Sequence, residues 1–233
     1  MSDKPSFLAR LGRLRAQWVQ GLRDVRRIGY FPWQPLVIFD VGANDGTTFS
    51  HMPRWFPWMR FYAFEPTPDL VAKLCPHMAR WSNYHLIPKA VAETRGTLRF
   101  NVAGVGDWGC SSLLEFADGL DRTWPGRDDF KVTRQIEVET IRLGDFVREH
   151  RIERIDFLHV DTQGTDLNVL RSLGEEIRRV RAGVIEVPQS REVMLYRNQH
   201  TREEAMEFFA KNGFKVWKTV SQQNEDNLYF RRM

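Results

Sequence analysis

Leu36-Val-Ile-Phe-Asp-Val-Gly-Ala-Asn-Asp-Gly46 decides how this chain folds. A short apolar run rich in β-branched and aromatic residues reads as a buried strand. It ends on Asp40, Gly42 and Gly46. Glycine has no Cβ, so the turn can bend tightly and a ligand can approach the backbone. A second run of the same kind, Phe61-Tyr-Ala-Phe-Glu65, also ends in an acid. A strand, a glycine turn, a helix and a second strand with a terminal carboxylate make a binding unit for an adenosine-containing cofactor. The carboxylate, here Glu65, accepts from the ribose diol.

Spacing separates the candidate cofactors. The dinucleotide fingerprint G-x-G-x-x-G holds a pyrophosphate at a helix N-terminus. Here the form is Gly42-x-x-x-Gly46, with Asp40 ahead of it and Asp45 inside it. Those acids oppose a pyrophosphate. They favour S-adenosylmethionine, which has no phosphate and carries a sulfonium and an ammonium. A nicotinamide-dependent oxidoreductase on a related sheet is the alternative.

Further along, strands alternate with helices. Runs at 36–41, 60–65, 84–91, 155–161 and 182–187 are short and apolar, as in a parallel sheet buried on both faces. Helices are expected at 68–80, opened by Pro68, and at 165–173, after Gly164. A third is expected at 202–212, where Thr201 and Glu204 form a capping box and Gly213 follows. Strands at 214–220 and 227–232 close the chain, and 97–103 with 136–143 reads as an added hairpin. Residues 104–135 and 188–200 lack a period. The first, with Trp108 and Trp124, has the character of a lid or binding loop.

The 233 residues, 42% of them hydrophobic, suffice for one sizeable core. Cys75 and Cys110 alone do not make a disulfide framework, so a reducing, cytoplasmic setting is the simpler reading. No apolar stretch is long enough to span a bilayer, and Met1-Ser-Asp-Lys-Pro lacks the apolar core of a secretion signal. Residues 1–30 hold seven basic side chains against two acids while the whole chain carries +4, so the rest is nearly neutral. The chain therefore divides into a basic helical arm, 1–34, and one α/β domain, 35–233. Over 5–28, Phe7, Leu8, Leu11, Leu14, Trp18, Leu22 and Val25 recur at helical spacing. Such an amphipathic helix packs on the domain, joins a second copy in a homo-oligomer, or lies on an anionic membrane as a peripheral protein at its inner face. An arginine-rich targeting peptide is a weaker reading. A nucleic-acid enzyme usually carries its positive charge around the site itself, which argues against nucleic acid as a partner.

The motifs together resemble the FkbM family of S-adenosylmethionine-dependent methyltransferases. The matching pieces are VIFDVGANDGTTF (37–49), FYAFEPTPD (61–69), KAVAETRGTLRF (89–100), CSSLLEF (110–116), IDFLHVDTQGTDLNVLRSL (155–173), VIEVPQSREVMLY (184–196) and NGF (212–214). They cover nearly everything but the arm. The resemblance implies a class I, Rossmann-like α/β fold: a seven-stranded, mostly parallel sheet with an antiparallel last strand and helices on both faces. It implies that Asp40, Gly42, Ala43, Asn44 and Gly46 wrap the methionine end of the cofactor and that Glu65 holds the ribose. Lys89 and Ala90 border the adenine, and Ser111 and Ser112 approach from the lid segment. The family often has a lysine where this chain has His159, so that role does not transfer.

Methyl transfer is an in-line displacement to which positioning contributes ~7–11 kcal/mol at best. A hydroxyl acceptor must also lose its proton, which calls for a base or a metal. Asp161 ends the fourth sheet strand and Glu186 nearly ends the fifth, so adjacent parallel strands bring both to one rim. They would hold a Mg²⁺-like divalent cation through hard oxygens. Alternatively, Asp161 is the base, also near the cofactor, and Glu186 meets substrate hydroxyls. As a third option, Asp161 only caps the next helix. His159 shares a strand face with Asp161, as base or as a packed histidine. His51 is a weaker candidate base; Tyr196 and Arg197 are weaker candidates to line an acceptor pocket. Neither cysteine stands where a base methyltransferase keeps its nucleophile, and no N-P-P-Y-like motif occurs. The expected reaction is O-methylation of a small-molecule or glycan hydroxyl: a sugar, glycolipid or secondary metabolite. The other alternative is a nucleic-acid methyltransferase guided by the arm.

Overall fold

A computed structural model describes residues 21–27, 29–31, 33–104, 109–127 and 129–233. Seven strands form the main sheet: β1 (Val37–Val41), β2 (Arg60–Phe64), β3 (Tyr84–Ile87), β7 (Phe157–Val160), β8 (Ala182–Pro188), β9 (Phe214–Ser221) and β10 (Glu225–Arg232). Their order is β3-β2-β1-β7-β8-β10-β9. β10 runs antiparallel to both its neighbours, and the pairs from β3 to β8 are parallel. This is the mostly parallel sheet with an antiparallel last strand that the motifs imply. A smaller sheet holds β4 (Ala90–Val91), β5 (Gly96–Ala103) and β6 (Val132–Ile141) in the order β4-β6-β5.

Alternation along β1 sorts the two cores, because neighbouring side chains on a strand face opposite ways. Val37, Phe39 and Val41 join a core built with α4 (Leu143–Glu149), α5 (Asp166–Ser172) and α6 (Arg202–Lys211). Leu36 and Ile38 join the other, built with helical residues 21–27 (α1) and α2 (Pro68–Met78). The α6 cap forms as expected: Thr201 Oγ1 accepts the Glu204 N–H at 3.2 Å, and Glu204 Oε2 accepts the Thr201 N–H at 2.7 Å. Such a cap is worth about 1 kcal/mol.

Four expectations need correction. Between β1 and β2 the chain makes a run of turns instead of a helix. Pro53 and Pro57 lack the N–H a helix needs, although Phe49 and Met52 still bury against the sheet. The strand expected over 84–91 breaks at Pro88, which cannot donate to a ladder, and Ala90-Val91 passes to the small sheet beside β6. Beyond β6 the chain does not stay extended to 143 but enters α4. There Leu143, Phe146 and Val147 repeat at three and four and are all buried. The described parts of 104–135 are not featureless: α3 (Leu120–Thr123) lies there, and Trp124 packs with Tyr196, Phe116 and Phe130. Trp108 lies outside the described residues, as do residues 5–20 of the expected arm helix, with Trp18. Residues 21–27 of the arm are helical. They bury Val25 and Asp24 against the domain.

Candidate active site

The register aligns the carboxyl ends of β1, β2 and β7: Val41 pairs with Phe64 on one side and Val160 on the other. The chain then leaves β1 through Gly42 (φ +86°), Asn44 (φ +49°) and Gly46 (φ +77°). The N–H groups of Gly42 and Ala43 both bond the Phe64 carbonyl, at 3.0 and 3.1 Å. A Cβ on Gly42 would stand 1.9 Å from the carbonyl oxygen of Asp161, so only glycine lets β1 and β7 end this close together. Gly46 is needed for packing, since a Cβ there would meet the Leu74 side chain at 2.6 Å. Ala43 is buried in the core beneath.

Beside this turn opens a cleft of about 580 Å³, counting its open mouth. Gly42, Asn44 and Glu65 line it, as do Lys89, Ala90, Ser111 and Asp161, seven positions named by the sequence. Leu70, Val91, Phe100 and Leu113 add an apolar wall. Glu65 is buried, and its two oxygens accept the N–H groups of Asn44 and Thr67, each at 2.8 Å. Burial raises its pKa despite these bonds and a further one from the Thr67 side chain. Lys89 is tied to Glu139 at 2.6 Å. Ser111 Oγ accepts the Ala103 N–H at 3.0 Å. Ser112 does not line the cleft; its hydroxyl donates to the Gln163 carbonyl at 2.6 Å and so ties the lid segment to β7.

At the cleft rim Asp161 accepts from Gln163 Nε2 at 2.6 Å. The Tyr196 hydroxyl lies 3.0 Å from Gln163 Oε1 and 2.8 Å from the Cys110 carbonyl, two acceptors for its one proton. Gln163 is held at φ +55° and Gly164 at φ +93°, with the Tyr196 ring pressed against Gly164. Tyr196 is thus a buried anchor rather than part of a solvated loop. Arg197 points away to Asp118 at 2.6 Å.

Behind Asp161 stand more acids. Burial, and then the Asp161 charge, push Asp166 up to about 8. It accepts the Glu186 N–H at 3.2 Å and pairs with Thr162 Oγ1 at 3.2 Å. Glu186 is raised by burial and by Asp161, and it shares a hydrogen bond with Glu225, which burial also raises. Glu225 opens β10, a strand whose antiparallel sense alone brings it here; its sequence context gave no sign of this.

Asp40 and His159 meet on the other side of the sheet ends, not on the cleft. His159 Nδ1 donates to Asp40 Oδ1 at 2.9 Å. Burial alone would lower the His159 pKa, but the hydrogen bond and charge of Asp40 outweigh it and hold the imidazole at about 9. Asp40 Oδ2 is buried without a hydrogen-bond partner. Close by, Asp24 of α1 accepts from Tyr229 Oη at 2.8 Å and from Arg27 Nη1 at 3.1 Å. His51 has its pKa lowered, chiefly by burial.

The donor set does not fit a divalent ion. Asp161 is occupied by Gln163, and Glu186 is turned to Glu225. Among the described residues, no group of three or more His, Cys, Asp or Glu side chains is arranged to hold a metal. The fit to S-adenosylmethionine is good. Glu65 presents a fixed carboxylate to the cleft, Gly42 leaves the backbone bare, and apolar side chains flank Ala90 where an adenine would lie.

Residues 40–216 match the family model described as the methyltransferase FkbM domain. The chain belongs to the FkbM methyltransferase family. It is 29% identical over 151 residues to the 2-O-methyltransferase NoeI of Sinorhizobium fredii, covering 62% of this chain and 60% of that one. It is 29% identical over 167 residues to the methyltransferase sdnD of Sordaria araneosa, covering 64% of each. The matches therefore span less than two thirds of the relatives' own length. Magnesium protoporphyrin IX methyltransferase from Synechocystis superposes with a TM-score of 0.52 at 11% identity, over 100% of this chain and 90% of that one. At that identity the likeness concerns the class I fold alone.

Proposed function

We propose that this FkbM-family chain moves the methyl group of S-adenosylmethionine to a hydroxyl of a sugar, glycan, glycolipid or secondary metabolite. One observation carries the cofactor: the Glu65 carboxylate, buried at the end of β2 and lining the cleft, is held by the Asn44 and Thr67 N–H groups where a ribose diol can donate to it. The printed name of the Sinorhizobium fredii relative, a 2-O-methyltransferase, supports a hydroxyl acceptor.

When bound, S-adenosylmethionine supplies an electrophilic methyl carbon; the chain does the rest. Glu65 and the bare backbone at Gly42 fix the donor. Asp161, aimed into the cleft by the Gln163–Tyr196 pair, takes the acceptor's proton as a general base. Protons held on Asp166 and Glu186 keep neighbouring carboxylates from repelling one another. Ser112 anchors the lid segment at Gln163, which helps keep water from the reacting atoms.

Calorimetric titration with S-adenosylmethionine and with its demethylated product tests the reading. Both should bind, and Glu65→Gln should weaken binding roughly tenfold or more, as for a lost hydrogen bond to a charged group. If neither binds while NADH does, the oxidoreductase alternative takes its place.

A further inference from the structure

The large aromatic side chains exposed among the described residues are Phe31, Trp33, Trp55 and Trp58, and Trp33 is 70% accessible. Topology gathers them at one end of the main sheet. Trp33 stands just ahead of Leu36, whose carbonyl accepts the N–H of Arg60, the first residue of β2, at 2.9 Å. Trp58 lies two residues before Arg60. Asn83, at the head of β3, donates to the carbonyls of Pro53, Phe56 and Met59, which ties the turns carrying Trp55 and Trp58 to the same end. The Phe31 and Trp33 rings stack at 4.7 Å, and Phe56 meets Trp58 edge-on at 5.8 Å.

Arginines collect at that end too. Arg154 precedes β7, Arg181 precedes β8, and Arg231 lies at the finish of antiparallel β10; all three line one groove with Arg178. Arg178, Arg181 and Arg231 are exposed. The acids nearby are largely consumed: Asp156 is buried against Arg154 at 2.9 Å, and Glu176 is buried and paired with Arg179. Glu153 is the exposed acid of the groove.

Exposed indoles beside exposed guanidiniums suit a bilayer interface. The indole sits at headgroup level, and arginine meets phosphate through two parallel N–H bonds. A nucleic acid would need a basic track reaching the cleft, which lies at the opposite, acid-rich end. We propose that the amino-terminal end of the main sheet docks on an anionic lipid bilayer, with Trp33 and Trp58 in the headgroup layer and Arg178, Arg181 and Arg231 on lipid phosphates. The cleft, roughly 15–20 Å away along strands rising ~3.3 Å per residue, then faces away from the docked surface.

Sedimentation of the full chain with vesicles tests this. It should pellet with vesicles of equal parts phosphatidylglycerol and phosphatidylcholine, not with phosphatidylcholine alone, and high salt should release it. Each of Arg178→Gln, Arg181→Gln and Arg231→Gln should weaken binding roughly fivefold. Trp33→Ser with Trp58→Ser should weaken it further while S-adenosylmethionine affinity stays intact, which shows that the variant folds. Three results would overturn the proposal. One is no preference for anionic vesicles. Another is binding that survives these changes but disappears with Arg10→Gln, Arg13→Gln and Arg15→Gln in the arm. The third is a concentration-dependent dimer in light scattering that the tryptophan changes abolish, which would make this end an interface between copies.

Discussion

The two ends of the main sheet are built from opposite chemistry. Where the parallel strands finish, the backbone turns through positive φ at Gly42, Asn44, Gly46, Gln163 and Gly164, and carboxylates crowd together. Where they start, arginines and tryptophans face outward and the carboxylates are buried under ion pairs. A parallel sheet makes this division possible because it aligns every strand's first residue on one side and every last residue on the other. Ligands bind where the strands end, since connections diverge there and leave a crevice. The other end is free to serve as a surface.

Several changes would break or sharpen this contrast. The largest effect belongs to Asp161→Asn. Turnover should fall roughly a hundred- to ten-thousand-fold, the range for a general base, while calorimetry finds cofactor affinity nearly unchanged. Equal turnover would remove Asp161 from the chemistry. Gly42→Ala should cost about 3 kcal/mol, from its φ of +86° and the approach to Asp161, seen as a melting point roughly 6–12 °C lower. A melting point within a degree of the parent would mean the strand ends part easily. His159→Gln should act on pH dependence. With its pKa held at about 9 against an ordinary 6.5, the imidazolium stabilises fully below pH 6.5, and that contribution fades as pH rises through 9. The substitution should cost about 2–3 kcal/mol more near pH 6 than above pH 10 in denaturant melts. The smallest expected effect is from chelation: EDTA should leave methyl transfer unchanged, because the carboxylates at the rim are already tied to Gln163 and to one another. Activity restored only by added Mg²⁺ would show that the acids reorganise around an ion.

Most of the fold was legible in the sequence, as was the gathering of Gly42, Asn44, Glu65 and Asp161 at one cleft, because glycine spacing and apolar period report backbone conformation directly. What was not legible depends on which way a side chain turns. Asp40 stands one residue before Val41, so strand alternation turns it away from the cleft that Val41 lines and toward His159. Tyr196 reads as a loop residue, but a small aromatic core of Trp124, Phe116 and Phe130 buries it. Glu225 joins the cluster only because a distant strand enters the sheet in reverse. Pro53, Pro57 and Pro88 were visible all along. Their missing N–H groups forecast the broken helix and strand that periodicity alone passed over.

The reversed strand has a consequence for how this fold tolerates length changes. β10 keeps unbroken register with β8 from Glu225–Pro188 to Arg231–Ala182, while against β9 it carries a bulge between Tyr229 and Phe230. The outer pairing has already absorbed one irregularity, so an extra residue in β9 can be taken up there. An extra residue in β10 ahead of Leu228 cannot. It would slide the start of the strand by one place and bring Asp226, bound to Arg202, toward the position that Glu225 holds beside Glu186. Insertions should therefore be permitted at the sheet's outer edge and excluded one strand further in.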